Sequence, residues 1–214
     1  MFKIEILNNY NNDLFNQLKQ LIEKFAIDVF VVQKFNLANK SYKKKSNYIC
    51  NYKKYLSTED LKYLEKDINE RIDFAINSIK SFDNDKKTRY YLLFNENRVI
   101  AFQTAQVRKE KDRLEGWRIF AYIEDSYRGR INEVIDSYGK RKRGMLSNIL
   151  YENISDWFAE EKVEVERTAT GKNMYKNIKT YIKKGFITEK CDDKKIYLIK
   201  DCSKSKKRKN WSFK

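Results

Sequence analysis

The chain has 214 residues, of which 41% are hydrophobic and 14% aromatic, and this is enough for one domain with a packed core. It contains no histidine, which excludes Ser-His-Asp and Cys-His nucleophiles, histidine-ligated metals and a histidine general base. Its three cysteines form no C-x-x-C pair and argue against a disulfide framework. The formal net charge of +16 predicts affinity for polyanions such as nucleic acid or phosphate-bearing cofactors. An A+T-rich genome would also enrich lysine.

The first half of the chain predicts one strand and two amphipathic helices. Alternation over residues 2–7 is typical of a strand. Apolar residues at helical spacing predict one helix that starts at Asp13 and another that follows a cap at residues 57–60. The apolar positions are Leu14, Leu18, Leu21, Ile22, Phe25 and Val29 in the first helix, and Leu61, Leu64, Ile68, Ile72, Ile76 and Ile79 in the second.

The second half changes period and predicts a sheet interrupted by two helices. Strands are predicted at 89–94, 98–107, 114–124 and 163–169, and a closing hairpin at 186–189 and 195–199. Helices are predicted at 145–158 and at 173–184, where Gly185 ends the second one. The order predicts an α/β (α+β) fold with a single mixed, mostly antiparallel sheet flanked by helices. Residues 1–200 would form this domain, and residues 201–214 a basic, flexible tail.

Two basic segments that contain glycine are candidates for binding a phosphate group. Residues 141–146 directly precede a predicted helix, and a glycine there lets the backbone approach a pyrophosphate while free N–H groups and the helix dipole favour the anion. Residues 127–130 form a rival that lies nearer to the preceding strand. We prefer residues 141–146, because the rival would leave a helix of unreasonable length or an unexplained Gly144. Residues 126–138 are then an insertion beside the site.

The order of elements and two local motifs resemble those of the GNAT N-acetyltransferases. Residues 141–146 are similar to the family's R/Q-x-x-G-x-G/A loop, and residues 181–186 are similar to the Y-x-x-x-G-F motif that ends its fourth helix. The resemblance implies an acyl-CoA-dependent N-acetyltransferase that binds acetyl-CoA and needs no metal. The residues that it assigns to cofactor binding are Arg141, Lys142, Arg143, Gly144, Met145 and Asn173, with Asn177 one turn before the motif tyrosine.

The resemblance also implies a direct attack of the acceptor amine on the thioester, without a covalent enzyme intermediate. Tyr181 would protonate the leaving thiolate, since a tyrosine keeps its proton at neutral pH. Backbone N–H groups near Tyr122 or Ile123 would polarise the thioester. Many relatives use a glutamate of the fourth strand as the base, and we predict this role for Glu115. Strand alternation is expected to place Glu115 on one face with Trp117, Ile119 and Ala121.

The acceptor is left open by the sequence. The resemblance implies that the segment between the first two helices lines the acceptor side, and here residues 42–55 interleave lysines with tyrosines. The tail at 204–214 has a similar composition. Such segments could bind RNA, so the amine could be carried on an aminoacyl-tRNA. The alternative is a basic RNA-binding protein on the same scaffold without catalysis. A homodimer is also left open, and we expect a cytoplasmic protein without membrane contact.

Overall fold

The computed structural model describes residues 1–7, 12–38, 40–80, 88–172 and 174–203. Within these residues, nine strands form one mixed sheet in the order β6-β5-β1-β2-β3-β4-β7-β9-β8. The strands are β1 (Phe2–Ile6), β2 (Thr88–Asn95), β3 (Arg98–Glu110), β4 (Arg113–Ile123), β5 (Ile131–Ile135), β6 (Arg141–Met145), β7 (Val165–Gly171), β8 (Ile187–Cys191) and β9 (Lys195–Asp201). The helices are α1 (Asn12–Lys34), α2 (Tyr42–Cys50), α3 (Tyr52–Tyr55), α4 (Thr58–Lys80), α5 (Leu146–Glu160) and α6 (Tyr175–Lys183).

The sheet is mixed but mostly antiparallel, as predicted. Its two parallel pairs are β1 with β5 and β4 with β7, and the other six pairs are antiparallel. The apolar stripes of α1 and α4 pack on one face, where Leu18 and Phe102 are buried in the same cluster. Helix α5 packs on the other face through Ile154, Trp157 and Phe158. None of the described helices is long and apolar enough to cross a membrane.

The predicted cap at residues 57–60 and the predicted helix end at Gly185 are both confirmed. The Asp60 backbone N–H donates to Ser57 Oγ (3.1 Å) and the Ser57 backbone N–H donates to Asp60 Oδ2 (3.3 Å), so aspartate closes this capping box in place of glutamate. At the end of α6, Gly185 has φ +90° and the Phe186 N–H donates to the Tyr181 carbonyl. This is the left-handed helix end that the glycine predicted.

The segment between β4 and α5 is a β-hairpin, and this corrects the prediction of a loop at residues 141–146. Residues Arg141–Met145 form strand β6 and pair with β5, which in turn pairs with β1. The inserted hairpin therefore lengthens the sheet by two strands and covers the edge of β1. Arg141 and Arg143 are exposed on the new edge strand, where charges discourage pairing with another chain.

A bulge in β4 changes which side chains share a face. Thr104 of β3 pairs with Phe120 whereas Ala105 pairs with Arg118, so Ile119 is the extra residue. Before the bulge, Arg118 lies over the Tyr151 ring of α5; after it, Phe120 contacts Phe25 of α1. Alternation does not continue through Ile119. The predicted common face for Glu115 and Ala121 is therefore wrong.

Candidate active site

A cleft of about 910 Å³ opens where β4 and β7 separate. The two strands pair only as far as Arg118 and Thr168, after which β7 continues along β9 alone. The last residues of β4, Ala121 to Ile123, therefore have β3 on one side and the cleft on the other. The remaining walls are α1, α2, the start of α5 and α6. A strand that loses its neighbour leaves backbone groups available to a ligand.

The amino-terminal end of α5 forms one wall of this cleft. Met145, Leu146, Ser147 and Asn148 all line it. The N-cap residue Met145 makes no side-chain capping bond, and the first turn contains no acidic residue. Because the first N–H groups of a helix have no partner within the helix, this end of α5 can bind an anion.

The glycine and the arginine of the rival segment, and not those of the preferred one, border the same wall. Arg128 and Gly129 line the cleft, and Gly129 adopts a left-handed conformation with φ +72°. Of the preferred segment only the last two residues, Met145 and Leu146, line it, whereas Arg141, Lys142, Arg143 and Gly144 do not. Lys142 Nζ instead lies 3.3 Å from Asp136 Oδ2 and 3.4 Å from Asp156 Oδ2. The hairpin takes these residues out of reach, because pairing in a strand fixes their positions.

Arg128 joins three parts of the cleft to one another. Its Nε donates to the Ile123 carbonyl at the end of β4 (2.7 Å), and its Nη1 lies 2.7 Å from Asp125 Oδ1. Its Nη2 donates to Asp28 Oδ2 on α1 (3.1 Å), a hundred residues away in sequence. These bonds fix α1 against the end of β4 from inside the cleft.

Asp28 is a carboxylate of the cleft that the sequence interpretation missed. Its side chain is 16% exposed, and burial raises its pKa above the usual aspartate value although Arg128 bonds to it. The residue continues the spacing of Leu14, Leu18, Leu21 and Phe25, so an acid occupies the apolar stripe of α1. That break in the pattern is the signal that could have identified it.

Tyr181 lies in the cleft together with the end of β4. Its ring packs edge-on against Phe186, with centroids 5.2 Å apart, and belongs to a cluster with Tyr151 and Leu198. Tyr122 and Ile123 line the same cleft. The fold therefore brings together the residues predicted for proton donation and for thioester polarisation.

Glu115 lies at the opposite end of β4 and does not line the cleft. Tyr122 lies seven positions further along the chain, which is roughly 20 Å along a strand. Its carboxylate accepts hydrogen bonds from Arg167 (2.6 Å) and Arg113 (2.9 Å). Burial alone would raise its pKa, but these two guanidinium groups lower it. Glu115 is part of an ion-pair network and is not positioned to accept a proton from an amine in the cleft.

Of the two asparagines considered for cofactor binding, only one lies among the described residues. Asn173 lies outside the described residues. Asn177 lines the cleft one helical turn before Tyr181. Among the described residues, no group of three or more cysteine, aspartate or glutamate side chains is placed to hold a metal ion.

The basic segment between the first two long helices forms α2 and α3. Two of its tyrosines pack ring against ring: the centroid of the Tyr48 ring lies 4.9 Å from that of Phe35 and 4.8 Å from that of Tyr55. This packing disfavours a surface on which successive bases would stack. Residues 204–214, the other basic segment considered for RNA, lie outside the described residues.

A second cavity, of about 450 Å³, lies at the turn between β2 and β3. Glu124 at its base accepts hydrogen bonds from Arg98 (2.6 Å) and Lys24 (2.8 Å). These two cations compensate the negative charge of the carboxylate. The larger cleft, with its open helix end and tyrosine, is the better candidate for chemistry.

Solved structures with this fold include several acetyltransferases. The chain is similar to the PaiA N-acetyltransferase of Thermoplasma acidophilum in complex with coenzyme A, with 14% identity, a TM-score of 0.60 and coverage of 92% of this chain and 98% of that one. A NatC complex bound to Gag peptide and CoA matches with 15% identity, a TM-score of 0.53 and coverage of 93% and 98%. A Desulfovibrio desulfuricans protein described as a GNAT-family acetyltransferase matches with 7% identity, a TM-score of 0.50 and coverage of 92% and 98%.

The chain has the GNAT acyltransferase fold. Its sequence matches no protein-family model and no curated protein. At this level of identity, what the chain shares with these structures is the fold.

Proposed function

We propose that this protein is an N-acetyltransferase that transfers the acetyl group of acetyl-CoA to a primary amine. The observation that carries the proposal is the cleft between β4 and β7, which combines Tyr181, the end of β4 on the side that β7 has left and the open amino terminus of α5. The two structures with bound CoA that share the fold support the choice of donor.

The phosphates of the donor would bind at the start of α5 and at Gly129. Backbone N–H groups of Leu146, Ser147 and Asn148 would face the anion, and the helix dipole would favour it. Arg128 would keep the adjoining turn in place through its bonds to Ile123 and Asp28. Asn177 would contact the pantetheine arm from α6. The assignment replaces Arg141 to Gly144, and Met145 is kept because it lines the cleft.

The end of β4 would polarise the thioester. A backbone N–H near Tyr122 or Ile123 can donate to the carbonyl oxygen and stabilise the charge that develops when the amine attacks. The nitrogen forms its bond to the carbonyl carbon, and the bond from carbon to sulfur then breaks. Tyr181 donates its hydroxyl proton to the departing thiolate, so no covalent enzyme intermediate is needed.

Asp28 takes the place of Glu115 as the proposed base. It lines the acceptor-side wall on α1, and its carboxylate is held by Arg128 through Oδ2. A pKa raised by burial makes an aspartate a better proton acceptor than it is in water. The amine would pass its proton to Asp28 directly or through one water molecule as the nitrogen bonds to carbon.

The test is release of free CoA thiol from acetyl-CoA in the presence of amine, peptide, aminoglycoside and charged-tRNA pools, with the acetylated product confirmed by mass spectrometry. Longer acyl-CoAs tested in parallel give the acyl preference. We expect acceptor-dependent release of CoA that Tyr181→Phe lowers. If no pool is acetylated and no acyl-CoA binds, the proposal is refuted.

A further inference from the structure

Two stretches of chain that border the cleft contain no acidic residue. Residues 29–58 include seven lysines and residues 168–184 include five, without any aspartate or glutamate. At the average of this chain, 30 acidic residues in 214, these 47 positions would hold about seven. A genome that favours lysine codons adds cations but does not by itself remove acids. The two stretches are therefore more cationic than composition explains.

The fold brings lysines of both stretches to the same part of the cleft. Lys40 and Lys45 come from the region of α2, Lys176 comes from the start of α6, and all three line the cleft. Lys45 Nζ donates to the Ala38 carbonyl (2.7 Å), which fixes its ammonium group at this wall. Burial and the neighbouring charge of Lys176 lower the pKa of Lys45, because both oppose its positive charge.

Two carboxylates of the cleft act on Lys45, and both are paired with another cation. Asp28 and Asp125 lie close enough to favour the charge of Lys45, but each is bonded to Arg128. Like charges that converge on one space cost free energy unless an anion binds between them. The arrangement is therefore that of an anion site with its cations in place.

The lysines belong to a different wall from the amides assigned to the donor phosphates. Met174, directly before α6, packs in a cluster with Val31, Val32, Leu37 and Ala38, so the start of α6 is attached to the end of α1. The open N–H groups belong to α5, and Gly129 follows β4. The lysine wall also includes the side of the cleft where Asp28 lies.

We propose that the acceptor amine is carried on a phosphate-bearing molecule, whose phosphate binds between Lys45 and Lys176 with Lys40 at the rim. The inference rests on the proposed acetyl transfer and adds the substrate class. A phosphate with up to two charges matches several lysines better than a carboxylate does, and lysine binds phosphate as a point charge. The phosphate can come from a small phosphorylated amine or from a nucleic acid that carries an aminoacyl group.

The experiment uses the full chain saturated with CoA, so that the donor's own phosphate sites are filled. Phosphoethanolamine and ethanolamine, which differ only in the phosphate, are titrated while thermal stabilisation is measured. The variants are Lys45→Gln and Lys176→Gln. Lys44→Gln is the matched control, because Lys44 is the exposed neighbour of Lys45 on α2 and does not line the cleft.

We expect phosphoethanolamine to bind at least tenfold more tightly than ethanolamine. Each cleft variant should weaken that binding at least tenfold and leave the affinity for CoA within twofold, and Lys44→Gln should change neither. Acetylation of phosphoethanolamine but not of charged tRNA would identify a small molecule as the source. Acetylation of intact aminoacyl-tRNA, lost after nuclease digestion, would identify the nucleic acid.

Two results would overturn the inference alone: acetyl transfer to amines with no preference for phosphate, or variants at Lys45 and Lys176 that weaken CoA and not the phosphorylated amine. Absence of CoA binding would instead refute the proposed function, and this inference with it. The two failures are thus distinguished by the same titrations.

Discussion

The variant Tyr181→Phe distinguishes a catalytic role of the hydroxyl group from a packing role of the ring. The Tyr181 ring is half-buried, and its edge-on contact with Phe186 at 5.2 Å would remain in the variant. Phenylalanine removes only the oxygen that would protonate the thiolate. Loss of a general acid lowers a rate by about 10²- to 10⁴-fold, which is roughly 3–5 kcal/mol of transition-state stabilisation. The free energy of unfolding should change by less than about 1 kcal/mol, because the apolar contacts persist.

The assay measures kcat, the Kd for acetyl-CoA and the free energy of unfolding on the same preparations. We expect kcat to fall at least a hundredfold while Kd changes less than threefold. Tyr63→Phe is the control, since Tyr63 is an exposed tyrosine of α4 that does not line the cleft. Equal losses in kcat and in acetyl-CoA binding would refute the assignment and make Tyr181 a binding or packing residue.

Three further predictions concern β4 and α1. Gly116→Ala would place a Cβ 2.6 Å from the buried Phe158 ring, so we expect a loss of about 1–3 kcal/mol of stability in urea unfolding, and an unchanged midpoint would contradict the packing. Asp28→Asn should lower kcat/KM at least a hundredfold at neutral pH and abolish the acidic limb of its pH profile. In the wild type kcat/KM falls along that limb as Asp28 is protonated, at a pH above the ordinary aspartate value. An acidic limb that survives in the variant would argue against Asp28 as the base. Glu115→Gln should leave kcat unchanged and cost roughly 1–3 kcal/mol of stability at pH 7. Because the folded-state pKa of Glu115 is lowered, that contribution to stability is present above the ordinary glutamate pKa and is lost as the pH falls through the folded-state pKa. A fall in kcat without a fall in stability would restore Glu115 as a catalytic candidate.

Elements with a strong apolar period could be predicted from the sequence, and those without one could not. Helices α1, α4 and α5 each carry an apolar stripe, and the strands from β2 to β4 are rich in buried aliphatic and aromatic residues. The sequences INEVI and RKRGM of β5 and β6 have little apolar alternation. Their strand pairing depends on the free edge of β1, a long-range partner that local pattern does not reveal.

The errors at the site have a similar origin. The side-chain alternation of β4 reverses at Ile119, and a single extra residue in a strand leaves no mark in the sequence. Asp28 and Arg128 are a hundred residues apart, so their hydrogen bond depends on the folded arrangement of α1 and β4. Tyr181 and Gly185 could be predicted because helix, tyrosine and stop signal lie within eleven residues. The proposed site thus contains the local motif predicted from the sequence, whereas its residues from distant parts of the chain differ from those predicted.

The most direct test of the cleft as an acyl-CoA site is whether acetyl-CoA binds the folded chain when no acceptor is present. A ligand at a hundred times its Kd stabilises a protein by about 2.7 kcal/mol, which corresponds to a rise in Tm of roughly 5–10 °C for a chain of this size. We expect that rise with acetyl-CoA and not with ATP at the same concentration, since ATP has the polyphosphate but lacks the pantetheine arm. No rise in Tm with acetyl-CoA or with any longer acyl-CoA would contradict the assignment of the cleft as an acyl-CoA site.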